Sequence, residues 1–199
     1  MPALFNRYQS LKPNKRFFLQ VATGVLLMCA ALFFNNYANS YISVKPGAAV
    51  NDIILDNIPA MNVEGIFLEG FLSLIGIVIL LCLHRPARIP FVLKTSALFI
   101  LMRTFFIILT HIGPPIRVFE LHAQNFLERV ISGPGEDLFF SGHTGWPFLM
   151  ALVFWQTKHL RIFFLLASVF FGAVVLLGQL HYSIDVFSAF FIASPKFEP

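Results

Sequence analysis

Charged side chains are scarce in this chain. Only 12% of its 199 residues are Asp, Glu, Lys or Arg, whereas 57% are hydrophobic. A soluble domain usually carries about 25% charged residues, so the composition excludes an ordinary soluble domain and indicates a polytopic membrane protein. The net charge of +4 does not indicate a nucleic-acid partner, because the basic residues are spread along the chain and are not gathered on one face.

Cysteine is nearly absent, and Cys29 and Cys82 are the two examples. Both lie within apolar segments, at depths in the membrane that differ by roughly 15 Å at a rise of about 1.5 Å per residue. This separation is too large for a disulfide, so both are interpreted as small buried apolar residues. The sequence shows no cluster with metal-ligand spacing, and we expect neither a metal nor another cofactor.

Long apolar runs dominate the rest of the sequence and predict an all-α membrane protein with six transmembrane helices. The predicted spans cover residues 17–34, 66–83, 91–110, 142–156, 160–180 and 181–193. The first run exceeds a signal-peptide core of about 7–15 residues, which favours an uncleaved helix over a signal peptide. The sixth has 13 residues. It is either tilted in a locally thinned membrane or truncated, and the sequence leaves both readings open.

Two segments between the spans have apolar residues at helical spacing and predict short helices on the extracytoplasmic membrane surface. One covers residues 50–58 and ends at Pro59, and the other covers residues 116–131. The chain is accordingly divided into a cytoplasmic N-terminal segment, a single six-helix membrane domain and a C-terminal tail. Their limits are 1–16, 17–193 and 194–199.

The basic residues predict the orientation of the spans, because cytoplasmic loops carry an excess of Lys and Arg. When the sides alternate, ten of the 14 basic residues fall on one side and three on the other, with Arg103 inside a span. Both termini are therefore expected in the cytoplasm. His143, His181 and Asp185 then fall together on the extracytoplasmic side, although their chemistry played no part in the assignment.

Two short polar motifs interrupt the apolar sequence. In the second motif, His181 and Asp185 are four residues apart, so they would share one face of a helix. A carboxylate there can hold the imidazole in one tautomer and favour its charged form, which makes a ring nitrogen a good nucleophile or base. The first motif, Ser141-Gly142-His143-Thr144, opens the fourth span, where unpaired N–H groups can bind phosphate. We therefore interpret His143 and His181 as facing each other across a phosphorus atom.

Further polar residues are candidates for binding the substrate. Gly142 lets the backbone come close to an anion, and Ser141 is an N-cap, a phosphate ligand or both. Asp137 either contacts a cationic head group, positions His143 or is a loop carboxylate in water. Arg103 lies deep in the third span, where its counter-charge is a substrate phosphate or a protein carboxylate, unless the side chain snorkels.

These residues resemble the motifs of a known family. Phe140 to Thr144, and His181 to Val186, look like the two active-site motifs of the sphingomyelin synthases, which belong to the superfamily of type 2 phosphatidic acid phosphatases. Arg103 to Thr110 is similar to a third synthase motif, an Arg and a Thr separated by six residues. The resemblance implies catalytic roles for His143, His181 and Asp185. It implies substrate contacts for Ser141, Gly142, Arg103, Asp137 and Tyr182.

The chain also departs from these relatives. Ser183 stands where the synthases usually have Thr, and their Pro-Leu-Pro-Asp motif is absent. The lipid phosphatases carry Ser-Arg ahead of the second histidine, where this chain has Val174-Val175, and their Lys-x6-Arg-Pro signature is missing. The loss of that phosphate-binding arginine favours the synthases.

The resemblance implies a phosphotransferase that moves phosphocholine or phosphoethanolamine from a glycerophospholipid to a lipid hydroxyl such as that of ceramide, through a phosphohistidine. Its partners would be the donor and acceptor lipids of the membrane. The sequence leaves open whether the protein forms a homo-oligomer. The alternative is a lipid phosphate phosphatase or phospholipase-C-like hydrolase, which would admit water to the intermediate. A non-enzymatic membrane protein is the third reading.

Overall fold

The computed structural model describes residues 14–44, 47–110, 112–115 and 139–193. Six α-helices and no strand occur in this part of the chain, which confirms the all-α prediction. The α-helices are α1 (Lys15–Ser43), α2 (Phe71–His84), α3 (Ile89–Leu109), α4 (Gly142–Val153), α5 (Lys158–Leu177) and α6 (Ser183–Ile192). A π-helix, Ile66–Gly70, leads into α2, and a short 3-10 helix, Pro86–Arg88, leads into α3.

Four of these helical stretches are long and apolar enough to cross a membrane. They are Lys15–Ile42, Ile66–His84, Pro86–Leu109 and Lys158–Leu177, which correspond to the first, second, third and fifth predicted spans. In contrast, α4 has 12 residues and α6 has 10, or about 18 and 15 Å. Both are shorter than a hydrocarbon core of about 30 Å. The prediction of an integral membrane protein is supported, and the count of six spans is not confirmed.

The first helix is longer than predicted: it continues past residue 34 and ends at Ser43. The first polar residue after the apolar run has a partner inside the protein. Asn35 accepts a hydrogen bond from the Thr104 hydroxyl on α3 (3.3 Å), and Ala38 and Ile42 are buried. Packing against α3 therefore extends α1 beyond the end of the apolar run.

The predicted surface helix over residues 50–58 is wrong. This segment contains a 3-10 helix of three residues, Leu55–Asn57. The Asp52 side chain accepts hydrogen bonds from the N–H groups of Ile54 and Leu55, which makes a compact turn in place of a helix. The other predicted surface helix, residues 116–131, lies outside the described residues.

The core is built around α4, whose side chains are largely buried against α3, α5 and α6. Gly145 permits a close approach: a Cβ there would come within 2.8 Å of the Phe99 ring on α3 and 3.3 Å of Ala189 on α6. Ser168 of α5 also donates a hydrogen bond to the Thr144 carbonyl (2.7 Å). The short helix α4 is therefore enclosed by protein, whereas α1 packs mainly on α3.

The connections between helices assemble the two ends of the bundle. At one end, Arg88 donates to the carbonyl of Val153 (2.7 Å), and Arg85 donates to the Thr157 hydroxyl (3.2 Å). These bonds join the α2–α3 connection to the α4–α5 connection. The starts of α2, α4 and α6 consequently lie at the opposite end, where both polar motifs are found.

The turn between α5 and α6 contains a strained residue two positions before His181. Helix α5 ends in a Schellman motif, in which Leu180 donates to the Val175 carbonyl and Gln179 donates to the Leu176 carbonyl. Gln179 has a φ of 50°, in the left-handed region that this motif usually fills with glycine. A non-glycine residue in this conformation lowers the stability of the folded protein.

We predict that Gln179→Gly stabilises the protein by up to about 1 kcal/mol, because glycine removes the Cβ penalty of a left-handed conformation. For a chain of this size the melting temperature in detergent should rise by about 2–4 °C. Gln179→Ala is the matched control and should give no rise, because alanine keeps the Cβ. A melting temperature lowered by glycine would contradict the assigned turn.

Candidate active site

The second motif lies at the junction of α5 and α6. Asp185 is the third residue of α6, and its Oδ2 atom accepts a hydrogen bond from the N–H of Tyr182 (3.0 Å). The same oxygen lies 3.4 Å from Nδ1 of His181. Asp185 is 1% exposed. The predicted pairing of His181 with Asp185 is therefore present.

The pairing does not arise from a shared helix face, however, as the sequence analysis had predicted. His181 was expected on a helix face one turn from Asp185, but α6 begins at Ser183, after the histidine. The contact arises because Asp185 folds back over the start of its own helix, as an acidic residue commonly does at this position. The imidazole is thus held by a helix cap, and Nδ1 is the nitrogen that faces the carboxylate.

The first motif forms the start of α4. The Ser141 hydroxyl accepts hydrogen bonds from the N–H (3.4 Å) and the hydroxyl (3.1 Å) of Thr144, so the N-cap interpretation of Ser141 is confirmed. Gly142 and His143 then open the helix. Their backbone N–H groups belong to the first turn of α4, where a helix has donors without partners inside the helix.

One peptide group brings the two motifs together. The N–H of Ser141 donates to the carbonyl of Asp185 (3.0 Å). The carbonyl of the same peptide group, that of Phe140, accepts a hydrogen bond from Nε of Arg103 (2.9 Å). The starts of α4 and α6 and the middle of α3 therefore meet at the peptide bond between Phe140 and Ser141, which are both fully buried.

Gly142 makes room for the arginine. A Cβ at this position would lie 3.4 Å from Nε and 3.9 Å from Cζ of Arg103. The guanidinium group therefore packs directly over the backbone at the start of α4. A planar cation beside helix N–H groups is a suitable arrangement for binding a phosphate.

The imidazole of His143 is enclosed by aromatic rings. Phe67 stacks on it with centroids 3.9 Å apart, and Phe71 packs on it at 4.1 Å. Its Nε2 atom is buried and has no hydrogen-bond partner among the described residues. Burying a polar nitrogen in this way is costly unless a ligand supplies the partner. The ring is thus fixed in orientation while one nitrogen stays available.

Both histidines line the same cavity, which has a volume of about 570 Å³. Arg103 and Gly142 also line it. The rest of the lining is mostly apolar and includes Met28, Leu32, Ile75, Val78, Ile79 and Leu93. The cavity follows α2 from Phe71 to Cys82 and Leu83, roughly 17 Å at about 1.5 Å per residue. It therefore has a polar end at the two motifs and a long apolar body.

The other predicted site residues are placed differently. Ser141 and Asp185 are not among the residues that line the cavity. Ser141 caps the helix that carries His143, and Asp185 contacts His181. Tyr182 is 2% exposed. Its hydroxyl accepts a hydrogen bond from the Val50 N–H (3.1 Å) and donates to the Gly113 carbonyl (2.9 Å). The predicted contact of Tyr182 with substrate remains a prediction, and Asp137 lies outside the described residues.

Sequence reasoning missed the aromatic clamp made by Phe67 and Phe71. The two residues are four apart at the start of the second span, so they lie on one side of it. The π-helix over Ile66–Gly70 carries the first of them, and such helices are often found at functional sites. In a chain with 25 phenylalanines, a pair at this spacing carries little information by itself.

Within the described ranges, no group of three or more His, Cys, Asp or Glu side chains could hold a metal ion. What the site does offer is two imidazoles, a carboxylate beside one of them, a guanidinium group and the N-terminus of a helix. These groups can provide a nucleophile, a general acid or base and stabilisation of a phosphate charge. The prediction that the chemistry needs no metal remains a prediction.

Residues 136–197 match the model of the PAP2 superfamily C-terminal domain, and this range contains both histidine motifs. No curated protein matches the chain, and no solved structure does. Members of the superfamily are generally enzymes that act on phosphate esters of lipids. The match does not distinguish a phosphotransferase from a phosphatase. Together with the paired histidine motifs, the match supports a similarity of residues 136–197 to the superfamily of type 2 phosphatidic acid phosphatases.

Proposed function

We propose that this protein is a lipid head-group phosphotransferase that acts in the membrane. It would move phosphocholine or phosphoethanolamine from a glycerophospholipid to the hydroxyl of a second lipid, such as ceramide. The observation that carries the proposal is that His143 and His181 line the polar end of one long apolar cavity. Such a cavity suits a substrate whose phosphate lies beside the histidines and whose hydrocarbon chain extends away from them.

In the first step, Nε2 of His181 attacks the phosphorus atom and forms an N–P bond. The bond from phosphorus to the diacylglycerol oxygen breaks, and His143 donates a proton to that oxygen. Asp185 faces Nδ1 of His181, so it stabilises the positive charge that develops on the ring. The products of this step are diacylglycerol and a phosphohistidine at position 181.

In the second step, His143 removes the proton from the hydroxyl of the acceptor lipid. The resulting oxygen attacks phosphorus, the N–P bond breaks, and His181 is regenerated. One imidazole thus serves as acid in the first step and as base in the second, which typically contributes about 10²–10⁴-fold to the rate. The rings of Phe67 and Phe71 keep that imidazole in position for both steps.

The charge on the phosphoryl oxygens is balanced by the start of α4 and by Arg103. Both border the same end of the cavity, and the guanidinium is anchored through Nε to the Phe140 carbonyl. Preorganised donors of this kind act strongly where water is excluded. The apolar lining supports transfer to a lipid, because a phosphohistidine surrounded by hydrocarbon meets lipid hydroxyls more readily than water.

The direction in which the site opens is part of the proposal. The distribution of Lys and Arg favours an active site at the extracytoplasmic face with both termini in the cytoplasm. In that orientation the phospholipid donor and the acceptor would be drawn from the outer leaflet. The lateral route from the membrane into the cavity would pass between the helices that line it.

The purified protein should transfer labelled head group to an acceptor lipid. We expect labelled phosphatidylcholine or phosphatidylethanolamine to give a labelled sphingolipid and diacylglycerol when ceramide is present, as measured by thin-layer chromatography. Without ceramide, little water-soluble label should appear. Rapid release of the head group or of inorganic phosphate without an acceptor would contradict the transferase proposal and identify a hydrolase.

The covalent intermediate gives a second prediction. Incubation with a ³²P-labelled donor in the absence of acceptor should label the protein, with a bond that is stable in alkali and broken by acid. His181→Ala should remove the label, and His143→Ala should slow its formation by at least about 100-fold. His159→Ala is the matched control, because this exposed residue near the start of α5 should leave labelling unchanged. Equal labelling of wild type and His181→Ala would refute the nucleophile assignment.

The cavity body should determine how long a substrate chain is accepted. Ile75→Trp places a larger side chain in the cavity lining, so turnover of a long-chain donor should fall while a short-chain donor is largely retained. Ile77→Trp is the neighbouring control, since Ile77 is 38% exposed on α2 and is not among the lining residues of this cavity. Equal losses for both chain lengths in Ile75→Trp would contradict a chain-binding role.

A further inference from the structure

The start of α6 donates a hydrogen bond to a distant segment of the chain. Its N-cap residue, Tyr182, makes no side-chain capping bond, which leaves the first N–H groups of the helix in need of acceptors. The N–H of Ser183, the first residue of α6, donates to Oδ2 of Asp52 at 2.6 Å. Asp52 precedes Ser183 by 131 residues and is 8% exposed. A carboxylate at a helix N-terminus is also favoured by the helix dipole.

The Asp52 carboxylate joins two parts of the structure. Its second oxygen, Oδ1, accepts hydrogen bonds from the N–H groups of Ile54 (2.9 Å) and Leu55 (3.2 Å). Burial alone would raise the pKa of Asp52, but the hydrogen bonds from Ser183, Leu55 and Ile54 together outweigh it and hold the pKa below its ordinary value. The group is therefore a carboxylate at neutral pH, and its hydrogen bonds are charge-assisted.

Further bonds fasten the same segment on both sides of His181. We call residues 47–63 the strap. Before the histidine, the Met61 N–H donates to the Leu177 carbonyl at the end of α5 (2.8 Å). After the histidine, the Val50 N–H donates to the Tyr182 hydroxyl (3.1 Å). The strap thus holds the α5–α6 turn at its two ends, and Asp52 supplies its charged attachment.

We propose that Asp52 is a positioning residue of the active site, acting on His181 through the N–H of Ser183. This inference rests on the proposed function, in which His181 is the nucleophile. Ser183 lies two residues after His181 and two before Asp185, so a shift of the first turn of α6 moves both members of that pair. Displacement of a reacting group by about 1 Å can reduce a rate by roughly 10²-fold.

The location of Asp52 distinguishes positioning from catalysis. Asp52 is not among the residues that line the cavity, and both of its oxygens accept hydrogen bonds from backbone N–H groups. Its effect should therefore appear in kcat and in the state of His181, with KM for the donor lipid little changed. A residue that served only to stabilise the fold would lower the melting temperature without altering the catalytic constants of the folded protein.

The first test compares Asp52→Ala with Asp56→Ala. Asp56 is an exposed carboxylate on the adjoining 3-10 helix. We expect Asp52→Ala to lower kcat by about 10- to 100-fold with a nearly constant KM, and Asp56→Ala to leave both unchanged. Asp52→Asn is a second variant in case alanine prevents folding. It keeps one oxygen acceptor and the side-chain volume, so kcat should fall to an intermediate value.

The second test removes the same hydrogen bond from the other side. Ser183→Pro lacks the N–H, and proline is well suited to the first position of a helix. Tyr182 already has φ −71° and ψ 158°, a conformation that a residue preceding proline favours. The proline ring would overlap the carboxylate of Asp52, a conflict that Asp52→Ala removes. The double variant should therefore be no slower than Asp52→Ala alone, whereas effects that multiply would contradict coupling through this bond.

A spectroscopic measurement separates this inference from the proposed function. In protein labelled with ¹⁵N-histidine, the ring nitrogen signals of His181 report on the partner of Nδ1. Asp52→Ala should shift them, and Asp56→Ala and Ser183→Ala, which keep the Asp52 bond to the N–H, should largely preserve them. If the wild-type protein is inactive but Asp52→Ala still shifts the His181 signals, the proposed function is refuted and the positioning of His181 by Asp52 is retained. Unchanged signals and unchanged kcat in folded Asp52→Ala would overturn the positioning role.

Discussion

The site depends on one buried peptide group, the one between Phe140 and Ser141. Its N–H binds the carbonyl of Asp185 in the first turn of α6, and its carbonyl binds the guanidinium of Arg103 on α3. A buried peptide group without partners would cost several kcal/mol in an apolar interior. Both of its polar atoms are satisfied by residues of the candidate site. The same interaction therefore stabilises the fold and sets the two histidine motifs side by side.

The surroundings of this peptide group explain why polar side chains can be kept in an apolar protein. Ionisable groups that are buried in an apolar bundle are costly and are usually associated with function. Asp185 is held by the Tyr182 N–H and faces His181, while His143 is enclosed by Phe67 and Phe71. These contacts fix both rings before a substrate is present, so binding energy is not needed to arrange them. The apolar cavity that leads away from them suits a lipid chain.

The sequence predicted the parts of the structure that depend on local patterns. Hydropathy located four helices that could span a membrane, and the spacing of His181 and Asp185 predicted their pairing. Ser141 was recognised as an N-cap by its residue type and position. Hydropathy cannot predict how far a polar segment remains helical against a neighbour, so the end of α1 was placed too early. Hydropathy also predicted α4 as a membrane span, because a short helix enclosed by protein is as apolar as a spanning helix.

Long-range contacts could not be predicted from one sequence. The bond from Ser183 to Asp52 crosses 131 residues, and the stacking of Phe67 on His143 depends on how the π-helix before α2 packs against α4. Apolar spacing over residues 50–58 suggested a helix, but the Asp52 side chain competes for the backbone N–H groups and forms a tight turn. The apolar spacing was real there, but local hydrogen bonds from the backbone to the Asp52 side chain determined the outcome.

The central claim is that two imidazoles converge on one lipid phosphate. A cryo-electron microscopy structure of the protein with vanadate, a phosphate analogue, tests it most directly. We expect vanadium to be bonded to Nε2 of His181, with its oxygen atoms within hydrogen-bonding distance of His143, of Arg103 and of the N–H groups at the start of α4. Vanadate bound away from this end of the cavity, or in contact with one histidine while the other opens to a different compartment, would contradict it.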